Sequence, residues 1–109
     1  MTNYLFIEAR DPFTSRDPEF LERTAIALKQ RGHQVTVFLV QNGVLAARKN
    51  IRDGYLNRLT GAGVTLLADD FSLSERGIQA GELLPGIQPS GMETLVEALL
   101  TENTKAIWH

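Results

Sequence analysis

Six residues, Val35, Thr36, Val37, Phe38, Leu39 and Val40, run directly into Gln41-Asn42-Gly43. An apolar run rich in β-branched side chains, cut by three turn formers, reads as a buried strand and its stop. Just upstream, Lys29 and Arg31 precede Gly32, the pattern that ends a helix. Further upstream Leu21, Ala25 and Leu28 share one helical face, with Phe20, Thr24 and Ala27 beside them. Asp17-Pro18-Glu19 opens that helix with a cap, a proline suited to the first turn and an acid at the positive end of the dipole. A helix feeding a buried strand is therefore the local unit, and it recurs outward in both directions.

Towards the N-terminus, Tyr4-Leu5-Phe6-Ile7 is apolar without alternation, so it reads as a strand covered on both faces. Towards the C-terminus, residues 44–49 start a short helix. Tyr55, Leu56 and Leu59 continue helical spacing up to the breakers Gly61 and Gly63. Residues 64–68 form a third strand, and Asp69-Asp70-Phe71 a loop. Ser72 with Glu75 fits a capping box for a short helix closed by Gly77. The glycines and prolines of residues 77–89 predict irregular chain with a very short strand near Ile87. Ser90 with Glu93 fits a second capping box. The helix it opens carries the apolar stripe Met92, Leu95, Val96, Leu99 and Leu100. Residues 105–108 close the chain as a strand. Strands alternating with helices predict βαβ units, hence an α/β domain spanning residues 1–109 with a mainly parallel sheet and helices on both faces.

Composition removes several classes of function. With 109 residues the chain suffices for one domain with a real core. Thirteen acids against eleven bases leave a formal charge of −2, so no basic footprint for nucleic acid exists. There is no cysteine, which excludes disulfides, thiolate metal sites, a cysteine nucleophile and a persulfide carried on this chain. Glu8, Arg10, Asp11, Arg16, Asp17 and Glu19 interrupt any apolar signal core, and the run 35–40 is far short of the roughly 18 residues of a membrane span. A cytoplasmic location without membrane partners is expected.

In open α/β sheets ligands sit beyond the carboxyl ends of the strands. The first strand's exit offers Glu8, Arg10 and Asp11, the second Gln41, Asn42 and Gly43, the third Asp69, Asp70 and Ser72, with Arg76 one turn later. No glycine-rich dinucleotide fingerprint, P-loop or nucleophile elbow occurs. His33 falls at the amino end of its strand and His109 is the last residue, so neither is placed for catalysis or zinc. Asp69 and Asp70 have three readings: turn residues bonding local amides, ligands of a hard cation, or a coupled acid/base pair. Side chains that alternate along an extended backbone oppose a tight dyad. Arg10 and Arg76 have the guanidinium forks that hold an anion, against a plain reading as surface partners of Asp11 and Glu75. Asn42 either donates its amide to a ligand or turns the chain. The candidate ligand-binding set is therefore Arg10, Asn42, Asp69, Asp70 and Arg76, with no catalytic residue, metal or cofactor assigned. Trp108 suits either an interface or the core.

The layout resembles the DsrE/DsrF-like proteins of sulfur relay. The likeness rests on Tyr4 to Ile7 leading into Asp11, Pro12 and Phe13, and on Gly32 through Val40 followed by Gln41, Asn42, Gly43 and Val44. It continues in Ala62, Gly63, Val64 and Thr65, then Ser72 and Leu73, then Arg76, Gly77 and Ile78. The resemblance implies a three-layer α/β/α fold with a mainly parallel five-stranded sheet, and trimers or hexamers. It also implies a sulfur-carrying cysteine just after the third strand, where this chain has Asp69. Some members lack that cysteine and serve as companion subunits. Three functions follow, in order: a non-catalytic oligomeric companion or scaffold of a sulfur-relay protein, a small-ligand or anion-binding protein using the carboxyl rim, and an enzyme with Asp69 as acid, base or metal ligand.

Overall fold

The computed structural model describes residues 2–11, 17–49 and 54–108. Met1, residues 12–16, including Pro12 and Phe13, residues 50–53 and His109 lie outside the described residues. Five strands form one sheet: β1 (Asn3–Glu8), β2 (Gln34–Leu39), β3 (Thr65–Asp69), β4 (Ile87–Ser90) and β5 (Thr104–Trp108). Their spatial order is β4-β3-β2-β1-β5, and every neighbouring pair is parallel. The helices are α1 (Asp17–Gln30), α2 (Tyr55–Gly61), α3 (Asp70–Glu75) and α4 (Met92–Leu100).

The strand order decides where the helices go. From β1 to β4 each crossover steps to the next strand in one direction, and right-handed crossovers stepping the same way lie on one face. The step from β4 to β5 goes back across the whole sheet, so α4 lies on the other face, where it is the only helix among the described residues. The two cores record this. Phe6, Val37, Leu39 and Leu66 pack with Leu21 and Ala25 of α1, Leu56 and Leu59 of α2, and Leu73 of α3. Leu5, Ile7, Phe38 and Val40 pack with Leu95 of α4. Alternate residues of β1 and β2 thus enter opposite cores, which is why these strands are apolar without interruption. Each such buried side chain contributes roughly 1.5–3 kcal/mol.

Three local expectations are corrected. Residues 44–49 do not start an α-helix; Gln41–Ala47 forms tight 3-10 turns immediately after β2. The cap of α3 is Asp69, and Ser72 lies inside that helix, two residues past its start. The cap of α4 is Gly91 with no side-chain bond, because Ser90 is held extended in β4 opposite Asp69. The residues near Ile87 do form a strand, at the sheet edge, where Pro89 is tolerated. At the end of α3, Gly77 has a φ of 66°, and the next N–H, of Ile78, donates to the Leu73 carbonyl at 2.9 Å.

The 3-10 segment sits tightly on β1. A Cβ on Gly43 would overlap the carbonyl oxygen of Glu8, which already accepts the Val40 N–H at 3.0 Å. Gly43→Ala is expected to cost about 2 kcal/mol, or roughly 10 °C in melting temperature. Gly61→Ala, where a Cβ meets open space, serves as control and should not lower stability. Equal melting temperatures for the two variants would refute the close-approach argument.

Candidate functional site

The exits of β1, β2 and β3 lie side by side on the carboxyl rim. Asp69 ends β3 with extended backbone (φ −62°, ψ 120°) and caps α3. Its Oδ2 accepts the Ser72 N–H at 3.0 Å and the Ser72 hydroxyl at 2.6 Å. The Ser72 Oγ in turn accepts the backbone N–H of Gln41 at 2.9 Å. That geometry depends on Gln41, whose φ of 50° turns the chain sharply as it leaves β2. One hydroxyl therefore accepts a hydrogen bond from the β2 exit and donates one to the β3 exit.

A second link runs parallel to the first. Arg76 donates from Nε and Nη2 to the Asn42 Oδ1, at 3.3 and 3.0 Å, and from Nη1 to the Ser72 carbonyl at 3.2 Å. Glu75 lies 3.9 Å from Nη1, a weak partner by comparison. Asn42, Asp69 and Arg76 are thus brought together through Ser72. Asp70 is not part of this cluster. It is exposed in the first turn of α3, where the helix dipole favours an acid, and it borders a separate groove beside Pro89. Arg10 is exposed on the β1 exit, and its backbone N–H donates to the Glu8 Oε1 at 2.9 Å. Asp69 and Asp70 differ sharply in burial: Asp69 is 5% exposed, Asp70 open to solvent.

Two participants carry more weight than the sequence suggested. Ser72 is buried and central, whereas its spacing to Glu75 had suggested a cap. The competing signal was the three-residue spacing from Asp69 to Ser72, itself a capping pattern. Glu8, at the exit of the first strand as its place in the sequence implies, is completely buried there. Chemically, the cluster consists of oxygen and nitrogen groups already bonded to one another. Among the described residues no group of three or more His, Cys, Asp or Glu side chains is placed to hold a metal ion. His33 is on the far rim, edge-on to the Tyr4 ring with centroids 5.2 Å apart.

Hydrogen bonds to a carboxylate contribute roughly 1.5–3 kcal/mol. Ser72→Ala removes one of these and leaves the Gln41 N–H without its acceptor, so a loss of about 2 kcal/mol is expected. Asp69→Ala should cost ~1–2 kcal/mol as a lost cap. Because one bond is shared, the double variant should fall short of the sum by at least about 0.5 kcal/mol in urea denaturation. Strict additivity would separate the two residues and sink the relay.

The fold has close parallels among solved structures. The YchN protein from E. coli superposes with a TM-score of 0.89 at 20% identity, with both chains covered completely. MTH1491, a protein of unknown function from Methanobacterium thermoautotrophicum, gives 0.78 at 22% identity, again with full coverage of both. At such identities the likeness is one of fold, and it bears out the expected α/β architecture with a parallel five-stranded sheet. No curated protein matches the sequence. The sequence does match the DsrE/DsrF-like family over residues 3–105, nearly its whole length, and the chain belongs to that family.

Proposed function

We propose that this chain is a non-catalytic, oligomeric companion or scaffold subunit within the sulfur-relay setting of its family, working in the cytoplasm. Family membership supports a sulfur-relay-related protein. The observation that carries the finer reading is the state of Asp69. The resemblance puts the sulfur-carrying cysteine at this position, and here a carboxylate stands there, 5% exposed and bonded twice to Ser72. A carboxylate forms no persulfide, and this one is engaged in holding the rim together.

The surface of α4 supports the oligomeric part. Of its apolar stripe only Leu95 is buried, while Met92, Val96, Leu99 and Leu100 face solvent. Trp108, on the same sheet face at the edge, is 66% exposed. Exposed apolar side chains gathered along one helix are the kind of surface that interaction sites present. The rim-ligand reading has weaker support, since three of the five N–H donors of Arg76 already meet protein acceptors.

Two measurements test the proposal. After incubation with a polysulfide donor, intact-mass spectrometry of the pure chain should show no covalently added sulfur; a stoichiometric gain would defeat the non-carrier reading. Light scattering at micromolar concentration should give a mass above that of one chain, and Val96→Glu with Leu100→Glu should shift it towards the monomer. A wild-type monomer would remove the oligomeric part.

A further inference from the structure

We propose that copies of this chain associate head to tail, with the acidic apolar face of α4 seated on the basic groove along α1 of the next copy. The inference rests on the oligomeric reading above and specifies its contact. The first patch is α4 itself. Its exposed apolar residues are accompanied by Glu93 and Glu97, both exposed, and its nine residues include no basic side chain. The second patch lies on α1, where an open groove of about 520 Å³ is lined by Phe20, Arg23, Thr24, Ala27, Leu28 and Arg31. Phe20, Ala27 and Leu28 supply its apolar lining, and its two charged residues are both arginines, although Glu19 and Glu22 flank Arg23 on the adjoining side of the helix.

Charge decides between the ways two copies can meet. An α4-to-α4 contact about a two-fold axis would bring four carboxylates together around an apolar centre, and like charges across an interface oppose association. An α4-to-α1 contact instead sets Glu93 and Glu97 against Arg23 and Arg31. None of these four forms an ion pair with another described residue. The helical rise puts the two glutamates ~6 Å apart along their axis and the two arginines ~12 Å apart. Long arginine side chains bridge that difference while their stems cover the apolar floor.

The fold makes such a contact heterologous. α1 and α4 lie on opposite faces of the sheet. Each copy therefore presents one patch forwards and the complementary one backwards. Interfaces of this type close into rings when the rotation per step permits, as a trimer requires. Trp108 is exposed on the same face of the sheet as α4, being paired with Ile7 in the edge strand.

The experiment is a charge-swap cycle followed by sedimentation velocity at low and high salt. Wild type is compared with Glu93→Arg/Glu97→Arg, with Arg23→Glu/Arg31→Glu, and with all four substitutions in one chain. All positions are on the surface, and circular dichroism confirms folding of each variant. Each pair alone is expected to weaken assembly at least about tenfold, and the fourfold swap to restore it, because opposite charges face each other again. Added salt should weaken the wild-type assembly. If wild type assembles but either pair leaves the mass unchanged, or the fourfold swap fails to restore it, the head-to-tail contact is wrong and the oligomeric reading stands. A monomeric wild type would remove both.

Discussion

The carboxyl rim depends on one buried hydroxyl. Ser72 Oγ donates to Asp69 and accepts from Gln41, so a single side chain satisfies groups from two neighbouring strand exits. Parallel strands end in polar backbone that has no further ladder to join, and buried groups of that kind must find partners elsewhere. Here the partner of the Gln41 N–H is a serine hydroxyl, and the partner of that hydroxyl is a carboxylate. The chain leaving β2 can turn sharply at Gln41 and run back under the rim only because this donor is satisfied there. The 3-10 segment that follows brings Gly43 onto the Glu8 carbonyl, so the β1, β2 and β3 exits are joined in one continuous set of contacts.

The same chain of bonds explains why part of the site was legible in the sequence and part was not. Asp69, Asn42 and Arg76 follow strand ends or lie one helical turn beyond, and a parallel sheet carries all strand exits to one rim. Their common neighbourhood therefore follows from the alternation of strands and helices. Their pairing does not, because it depends on β2 and β3 being adjacent, and strand order leaves no trace in local periodicity. Ser72 shows the limit most directly. Ser-x-x-Glu and Asp-x-x-Ser overlap across residues 69–75, and both are capping patterns. Only the extended backbone of Asp69, paired with Ser90 in the sheet, selects the second.

Helix α4 illustrates the same limit on a larger scale. Its stripe of Met92, Leu95, Val96, Leu99 and Leu100 has the spacing of a core-facing helix, yet only Leu95 enters the core. The amphipathic pattern reports that an apolar face exists and does not say what covers it. Among the described residues α1, α2 and α3 pack on one side of the five-stranded sheet, and α4, within the connection that returns from one edge strand to the other, packs on the opposite side. It meets the sheet along a narrow line through Leu5, Ile7, Phe38 and Val40. The rest of the stripe is displayed outwards, so the strand order that escapes local sequence reading also determines which surface is left for a partner.

The position at which the family resemblance implies a sulfur-carrying cysteine holds an aspartate here, and the exchange is chemically economical. A thiol just after a parallel strand, at the start of a helix, is activated by the N–H groups there, which favour an anion. An aspartate at the same place uses the same preference, and its charge and fixed geometry satisfy the Ser72 N–H and hydroxyl together. The position's preference for an anion suits either group, but sulfur transfer needs a polarisable nucleophile, and this carboxylate oxygen is hard and, in this fold, covered. At the rim Asp69 and Ser72 clamp the β2 and β3 exits together. Arg23 and Arg31 on one outer face, and Glu93 and Glu97 beside the apolar side chains of α4 on the other, form no ion pair with another described residue, and these are the surfaces to which the proposed assembly assigns its contact.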